Sequence, residues 1–294
     1  IWNVRMPRIA AAVVVGAALA MSGCVMQNVL RNPLASASTL GVSQGASFGA
    51  AVAIICLGAG SQINSGGSSA ALTISNPYLV TACAFLGGMA TTVLILALSR
   101  VRGVTPSTMV LAGVAISSIL SAAIDAVSIL FPEAALGANA FMVGRLAGVT
   151  LEMLRLPALL TVLASGAALA LSYELDLLSL GDEVAQSVGL STRLARSALL
   201  TLAAVLCGAA VSFAGLVGFV GLLVPHAARF LVGTRHRDLL LSSMLLGALL
   251  VTVCDLLGRV LFAPFELPVG ILLSLLGGPF FLWLLFRQRG GRRL

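Results

Sequence analysis

LSLGDEVAQSVGLSTR, from Leu178 to Arg193, is polar, charged and helix-forming, in a chain otherwise built for lipid. It is too hydrophilic to cross a bilayer and too regular to be a mere linker. Asp182 reads as the N-cap of a short helix, and Glu183 falls in the first turn, where the helix dipole favours negative charge. Gly189 supplies a left-handed stop. Ala185 is small enough to let a partner approach closely. The segment reads as a surface offered to something soluble; the alternative is a solvated turn between spans.

The flanks decide the class. Of 294 residues, 59% are hydrophobic and 9% charged, against roughly 25% charged in soluble domains. The apolar runs have the length, about 17–25 residues, that a helix needs to cross hydrocarbon. No alternating barrel pattern is present, and backbone in lipid must satisfy its own hydrogen bonds, so the spans are helices. Nine are expected, over about 8–30, 41–58, 79–98, 106–129, 154–173, 194–213, 217–232, 238–258 and 268–286. The chain reads as an all-α polytopic membrane protein, a single domain over 1–294 with a polar segment at about 178–193.

The net charge of +7 comes from seventeen arginines and no lysine. In a soluble protein such an excess would suggest nucleic acid; here it reads as topology, because basic residues gather in cytoplasmic loops. Alternating loops divide them twelve to five. Arg31, Arg100, Arg102, Arg193, Arg196, Arg229, Arg235, Arg237, Arg287, Arg289, Arg292 and Arg293 are expected inside. Arg5, Arg8, Arg145, Arg155 and Arg259 are expected outside, which puts the C-terminus in the cytoplasm and the N-terminus out. No signal peptide carries that end across, so a further span upstream of Ile1 is expected.

Two outer segments have length. Gly58–Tyr78 is rich in Gly, Ser and Asn and reads as a loop. Phe131–Glu152 is partly apolar but too short to span, which suits an interfacial or re-entrant helix. Phe141, Met142 and Gly144 within it are candidates for lining a pathway; the alternative is an ordinary surface helix. Gly41, Gly45 and Gly49 recur on one helix face and let a neighbour approach closely.

Chemistry-bearing residues are sparse. Asp125 and Asp255 are the acids within spans. Arg259 lies four residues after Asp255, the spacing of a helical ion pair. His226 and His236 do not form a metal site with a carboxylate or cysteine at ligand spacing, and the five cysteines lack metal-ligand spacing. No phosphate loop or nucleophile elbow is present. Arg5, Arg8 and Arg259 run against the positive-inside trend; they read as partner-facing guanidinium groups or as interfacial anchors.

RMPRIAAAVVVGAALAMSGCVMQNVLRNPLASASTLGVSQGASFGA (5–50) resembles the second and third helices of the permeases that import vitamin B12, haem and iron–siderophore complexes. LSLGDEVAQSVGL (178–190) resembles that family's segment after helix six. GFVGLLVPHAARFLVGTRHRDLL (218–240) and ELPVGILLSLLGGPFFLWLL (266–285) resemble its last three helices. The similarity runs through the whole chain in order, starting just before helix two of a ten-helix fold.

The resemblance implies the membrane subunit of a binding-protein-dependent ABC importer for an iron(III)–siderophore or similar chelate. It implies a homodimer, two ATP-binding subunits docking inside and a soluble substrate-binding protein docking outside. It implies no cofactor on this chain, with ATP and magnesium held by the ATPase subunits. Gly181, Asp182, Glu183, Ala185 and Gly189 then correspond to a cytoplasmic coupling helix. Arg5, Arg8 and Arg259, the last seven residues before Glu266, correspond to arginines that pair with acidic residues of the binding protein in a cobalamin importer of the family. The competing class is an ion-coupled secondary transporter, which would need facing carboxylates inside the spans; a membrane-embedded enzyme would need a catalytic cluster.

Overall fold

The computed structural model describes Trp2 and residues 5–59, 76–99, 106–261 and 265–290. Among these residues, twelve helices follow in order: α1 (Arg5–Val29), α2 (Val42–Ile55), α3 (Pro77–Ser99), α4 (Pro106–Leu130), α5 (Pro132–Met142), α6 (Leu151–Ala170), α7 (Ser172–Leu180), α8 (Asp182–Ser187), α9 (Thr192–Ala214), α10 (Val220–Val232), α11 (His236–Val260) and α12 (Val269–Gly290). Six of them, α1, α3, α4, α6, α9 and α11, are long and apolar enough to cross a membrane; α2, α10 and α12 supply shorter apolar stretches. These nine coincide with the nine expected spans, and α5 is the short helix expected after Phe131. Most of the Gly58–Tyr78 loop, Arg100, Arg102, Arg292 and Arg293 lie outside the described residues, as do the side chains of Arg287 and Arg289.

Burial ranks the helices. The apolar window of α1 is 78% buried and that of α4 only 11%, so α1 is the axis and α4 the periphery. Glycines set the crossings. A Cβ at Gly16 would collide with the carbonyl of Gly247 on α11, and one at Gly23 with the carbonyl of Gly221 on α10. Gly45 and Gly49 meet Gly87 and Cys83 on α3, which is the close approach the four-residue spacing anticipated. Ser22 adds a hydrogen bond from its hydroxyl to the Ala203 carbonyl, 2.6 Å, joining α1 to α9.

Three non-helical joints meet at the Arg8 end of the bundle. Arg145 N–H donates to Ala214 O (2.9 Å), Leu216 N–H to Phe141 O (3.2 Å) and Gly270 N–H to Gly144 O (3.2 Å). The free amide at the start of α12 thus finds a carbonyl in the turn after α5. Such irregular backbone is tolerated inside an apolar bundle because each joint satisfies another.

Candidate functional site

The polar segment folds as a break between two helices rather than as one capped helix. Leu171 interrupts helicity for a single residue, after which α7 carries the chain to Leu180. Gly181 (φ +124°, ψ 154°) then turns it into α8. Asp182 does not cap α8, contrary to expectation: Gly181 holds the N-cap position, and no side chain caps the helix. The Asp182 carboxylate is drawn aside by two guanidinium groups, Arg31 and Arg196, the latter at 3.0 Å. Gly189 does stop the helix, at φ +90°. Its amide bonds Gln186 O (2.9 Å) and that of Leu190 bonds Ala185 O (3.0 Å), the paired bonds of a Schellman turn.

Ala185 also departs from its expected role. It is fully buried against its own chain, so it cannot be the surface that meets a partner. The outward face of this region is Leu180, Val184 and Val188, exposed by 65%, 46% and 60%, with exposed Glu183 beside them. These aliphatic side chains lie around the short helix on the side away from the Arg31 and Arg196 contacts.

What holds the segment comes from far away in sequence. The Arg31 guanidinium donates from Nε (3.2 Å) and Nη2 (3.0 Å) to the Leu178 carbonyl, an otherwise unpaired acceptor in the last turn of α7. The same Nη2 reaches Asp182. Arg31 itself has φ +46°, a left-handed conformation unusual outside glycine. It occupies the glycine position of the Schellman turn that ends α1, with Arg31 N–H on Asn28 O (3.1 Å) and Asn32 N–H on Gln27 O (3.0 Å). A non-glycine residue there costs about 1–2 kcal/mol. On the other side, the Asp176 carboxylate accepts the backbone N–H of His236 (3.1 Å) and contacts its ring Nδ1, capping α11. His236, 3% exposed, therefore has a carboxylate partner sixty residues away that sequence proximity did not reveal.

The opposite end carries a second ionic cluster. Asp255 is 3% exposed and accepts three hydrogen bonds from Arg8, at 3.0–3.1 Å. The expected helical pair with Arg259 is present at 3.3 Å, as a secondary contact. Arg8 also donates to Glu266 from Nη1 (2.7 Å). That bond holds the Glu266 carboxyl below its usual range, aided by the positive charges of Arg8, Arg259 and Arg145 and opposed by slight desolvation. Of the three arginines expected to face a partner, Arg5 is exposed, Arg259 is partly exposed, and Arg8 is turned into the chain. Freeing Arg8 would leave a buried carboxylate without most of its hydrogen bonds.

Among the expected pathway residues, Phe141 is buried beneath the joint of α9 and α10, and Gly144 (φ +71°) packs against the Leu216 carbonyl. Met142 is half-buried beside Phe48 and Ile124. Asp125 is exposed on α4. Among the described residues, no group of three or more His, Cys, Asp or Glu could hold a metal ion. Arg31, Arg196 and Asp176 escaped sequence reasoning as site residues; the one local signal was an arginine followed by Asn32-Pro33 immediately after a long apolar run.

Comparison with known proteins places this geometry in a family. The FecCD transport family model matches residues 1–287. The hemin transport system permease of Yersinia pestis is 39% identical over 299 residues, covering 99% of this chain and 85% of that protein. The Fe(3+) dicitrate transport system permease FecD of Escherichia coli K12 is 37% identical over 286 residues, covering 97% and 84%. A solved metal-chelate type ABC transporter in an inward-facing conformation matches with a TM-score of 0.86 and 31% identity, over 98% of this chain and 87% of that one. The helical bundle around the buried α1, with a short clamped helix between α7 and α9, is thus that of an ABC transporter permease, and the chain belongs to the FecCD transport family.

Proposed function

We propose that this permease is one half of a homodimeric importer for a ferric chelate or haem, driven by separate ATP-hydrolysing subunits. The observation that carries the reading is α8. Val184 on α8 faces outward together with Leu180, the last residue of α7, and Val188, the C-cap of α8, while Arg31 and Arg196 hold Asp182 from behind. A helix so mounted suits docking of an ATPase subunit, with Gly181, Asp182, Glu183, Ala185 and Gly189 shaping it rather than all touching the partner. The relatives that transport hemin and ferric dicitrate support the choice of cargo.

In this reading the Arg31 end faces the cytoplasm, with the C-terminus, in the plasma membrane of a prokaryote. The Arg8 end faces out, where Arg5 and Arg259 meet acidic groups of a substrate-binding protein. Residues 1–294 act as one permease domain, with 178–193 as its coupling segment. Met142 borders the pathway while Phe141 and Gly144 shape it from behind. ATP and magnesium reside on the ATPase subunit, and this chain contributes geometry rather than catalysis.

The test is reconstitution with the ATPase subunit and binding protein in liposomes. Uptake of 55Fe(III)-dicitrate or hemin is expected only with ATP on the cytoplasmic side; uptake driven by a proton gradient without the ATPase would reject the reading. Replacing Val184 and Val188 with Asp should weaken ATPase association at least tenfold, since each buried valine contributes roughly 1.5–3 kcal/mol. Unchanged association would remove α8 as the dock.

A further inference from the structure

We propose that Arg31 is the positioning residue that transmits displacement of the coupling segment to α1, and through α1 to the ionic cluster at the opposite end of the bundle. This rests on the reading of α8 as the ATPase dock. Four observations lead to it.

Arg31 occupies a backbone position where glycine would be unstrained, at φ +46°. Strain kept at one residue calls for a side chain that repays it. That side chain is a fork used on two elements: two bonds to the Leu178 carbonyl of α7, and one to Asp182 of α8. Lysine could not reproduce this planar geometry.

Asp182 is shared. Arg196 on α9 binds the same carboxylate at 3.0 and 3.3 Å, so α1, α7, α8 and α9 converge on one guanidinium–carboxylate–guanidinium unit. Asp176, one turn earlier on α7, caps α11 through His236. α7 and α8 are therefore joined to α1, α9 and α11 at the Arg31 end of the bundle.

The third observation is the rod itself. α1 is 78% buried along its apolar window and is locked to α11 where Gly16 meets Gly247 and to α10 where Gly23 meets Gly221. Close-packed elements of this kind move as units rather than deform. The fourth lies at its far end, where Arg8 grips Asp255 on α11 and Glu266 ahead of α12. A movement of α8 that draws on Arg31 must carry α1, and with it the support of Arg259 and Glu266 on the outer face.

The experiment is hydrogen–deuterium exchange on the full permease–ATPase complex, with and without vanadate-trapped ATP, on wild type, Arg31→Gly and Arg31→Lys. Glycine satisfies the left-handed turn and removes only the clamp; lysine keeps the charge without the fork. In wild type, the ATPase should protect 182–187, and trapped nucleotide should change exchange at 256–261 and 265–268 by about fivefold, in the range of ordinary coupling. In Arg31→Gly the protection of 182–187 should remain while the distant response disappears, with part of it restored in Arg31→Lys. An undiminished distant response in Arg31→Gly would overturn the proposal. So would a wild type without any distant response, or an Arg31→Gly complex that loses the ATPase altogether, which would make Arg31 a docking support. Absence of protection at 182–187 in wild type would instead overturn the reading of α8 itself, and the proposal with it. Should Arg31→Gly fail to assemble with the membrane, Asp182→Asn interrupts the same unit from α8 and is read in the same way.

Discussion

Asp255 shows how a single carboxylate decides the roles of its neighbours. An acid inside a span costs at least about 2.5–3.5 kcal/mol unless it is paired. Here Arg8 supplies three hydrogen bonds and Arg259 a fourth contact, and the residue is 3% exposed. An arginine committed to that task is a strut. Its remaining nitrogen steadies Glu266, which is 54% exposed and lies on the outer surface of the cluster. Because the Glu266 carboxyl titrates below its usual range in the folded chain, the stabilisation it brings is complete above about pH 4.3, the ordinary glutamate value. It is lost as pH falls through the lower folded value. Half-exposed, the contact should contribute less than about 1 kcal/mol. Glu266→Gln is therefore expected to lower the melting temperature slightly near pH 6, with the gap to wild type closing toward pH 3; a gap that widens on acidification would show that the carboxylate is not held by Arg8.

At the level of helices, hydropathy alone located all nine apolar elements, because burial in lipid demands long uninterrupted runs. It gave too much length to 41–58 and 217–232, which fold as helices of 14 and 13 residues. The ends of those runs are apolar yet serve as turns. Phe219, for instance, adopts φ +64° and packs on Gly277. The sequence also concealed α7: a one-residue break at Leu171 leaves no composition shift, since both sides are good helix formers. The short helix α8 was legible from its polarity and from Gly189, whereas its mounting was not. Arg31, Asp182, Arg196 and the Asp176–His236 pair are joined across 14 to 151 positions, and no local pattern records which partner each will find. The glycine crossings were visible as spacing on α2 but not on α1, where the partners Gly247 and Gly221 lie on distant helices. Gly16→Ala should therefore be expensive for its size. With the α11 backbone rather than a flexible side chain in the way, a loss of about 1–3 kcal/mol is expected in thermal or denaturant unfolding. Gly166→Ala, where nothing lies within 4 Å, serves as the control and should be neutral or slightly stabilising.

Across the whole molecule, charge is concentrated at the two ends of one buried helix, with an apolar interior between. At the Arg8 end, Arg8 is committed to Asp255 and Glu266, Arg259 touches Asp255 while partly exposed, and Arg5 is exposed; the proposed binding-protein interface falls to the last two. Reversal of Arg5 and Arg259 to Glu should weaken association with the binding protein at least tenfold at low salt, and the loss should shrink as salt screens it. Equal affinity for wild type and the reversed variant at low salt would remove both from the interface.

The 25-residue α1 spans about 37 Å at 1.5 Å per residue, pinned by ion pairs at both extremities. Such a helix cannot tilt or slide independently of the helices bonded to it when the surrounding bilayer changes thickness. Mismatch must then be absorbed by the helices at the rim, chiefly α4, which buries little of itself and has room to lean. The distance between the two ionic ends is thus fixed by protein contacts, and lipids of different chain length should reshape the rim of the bundle before its axis.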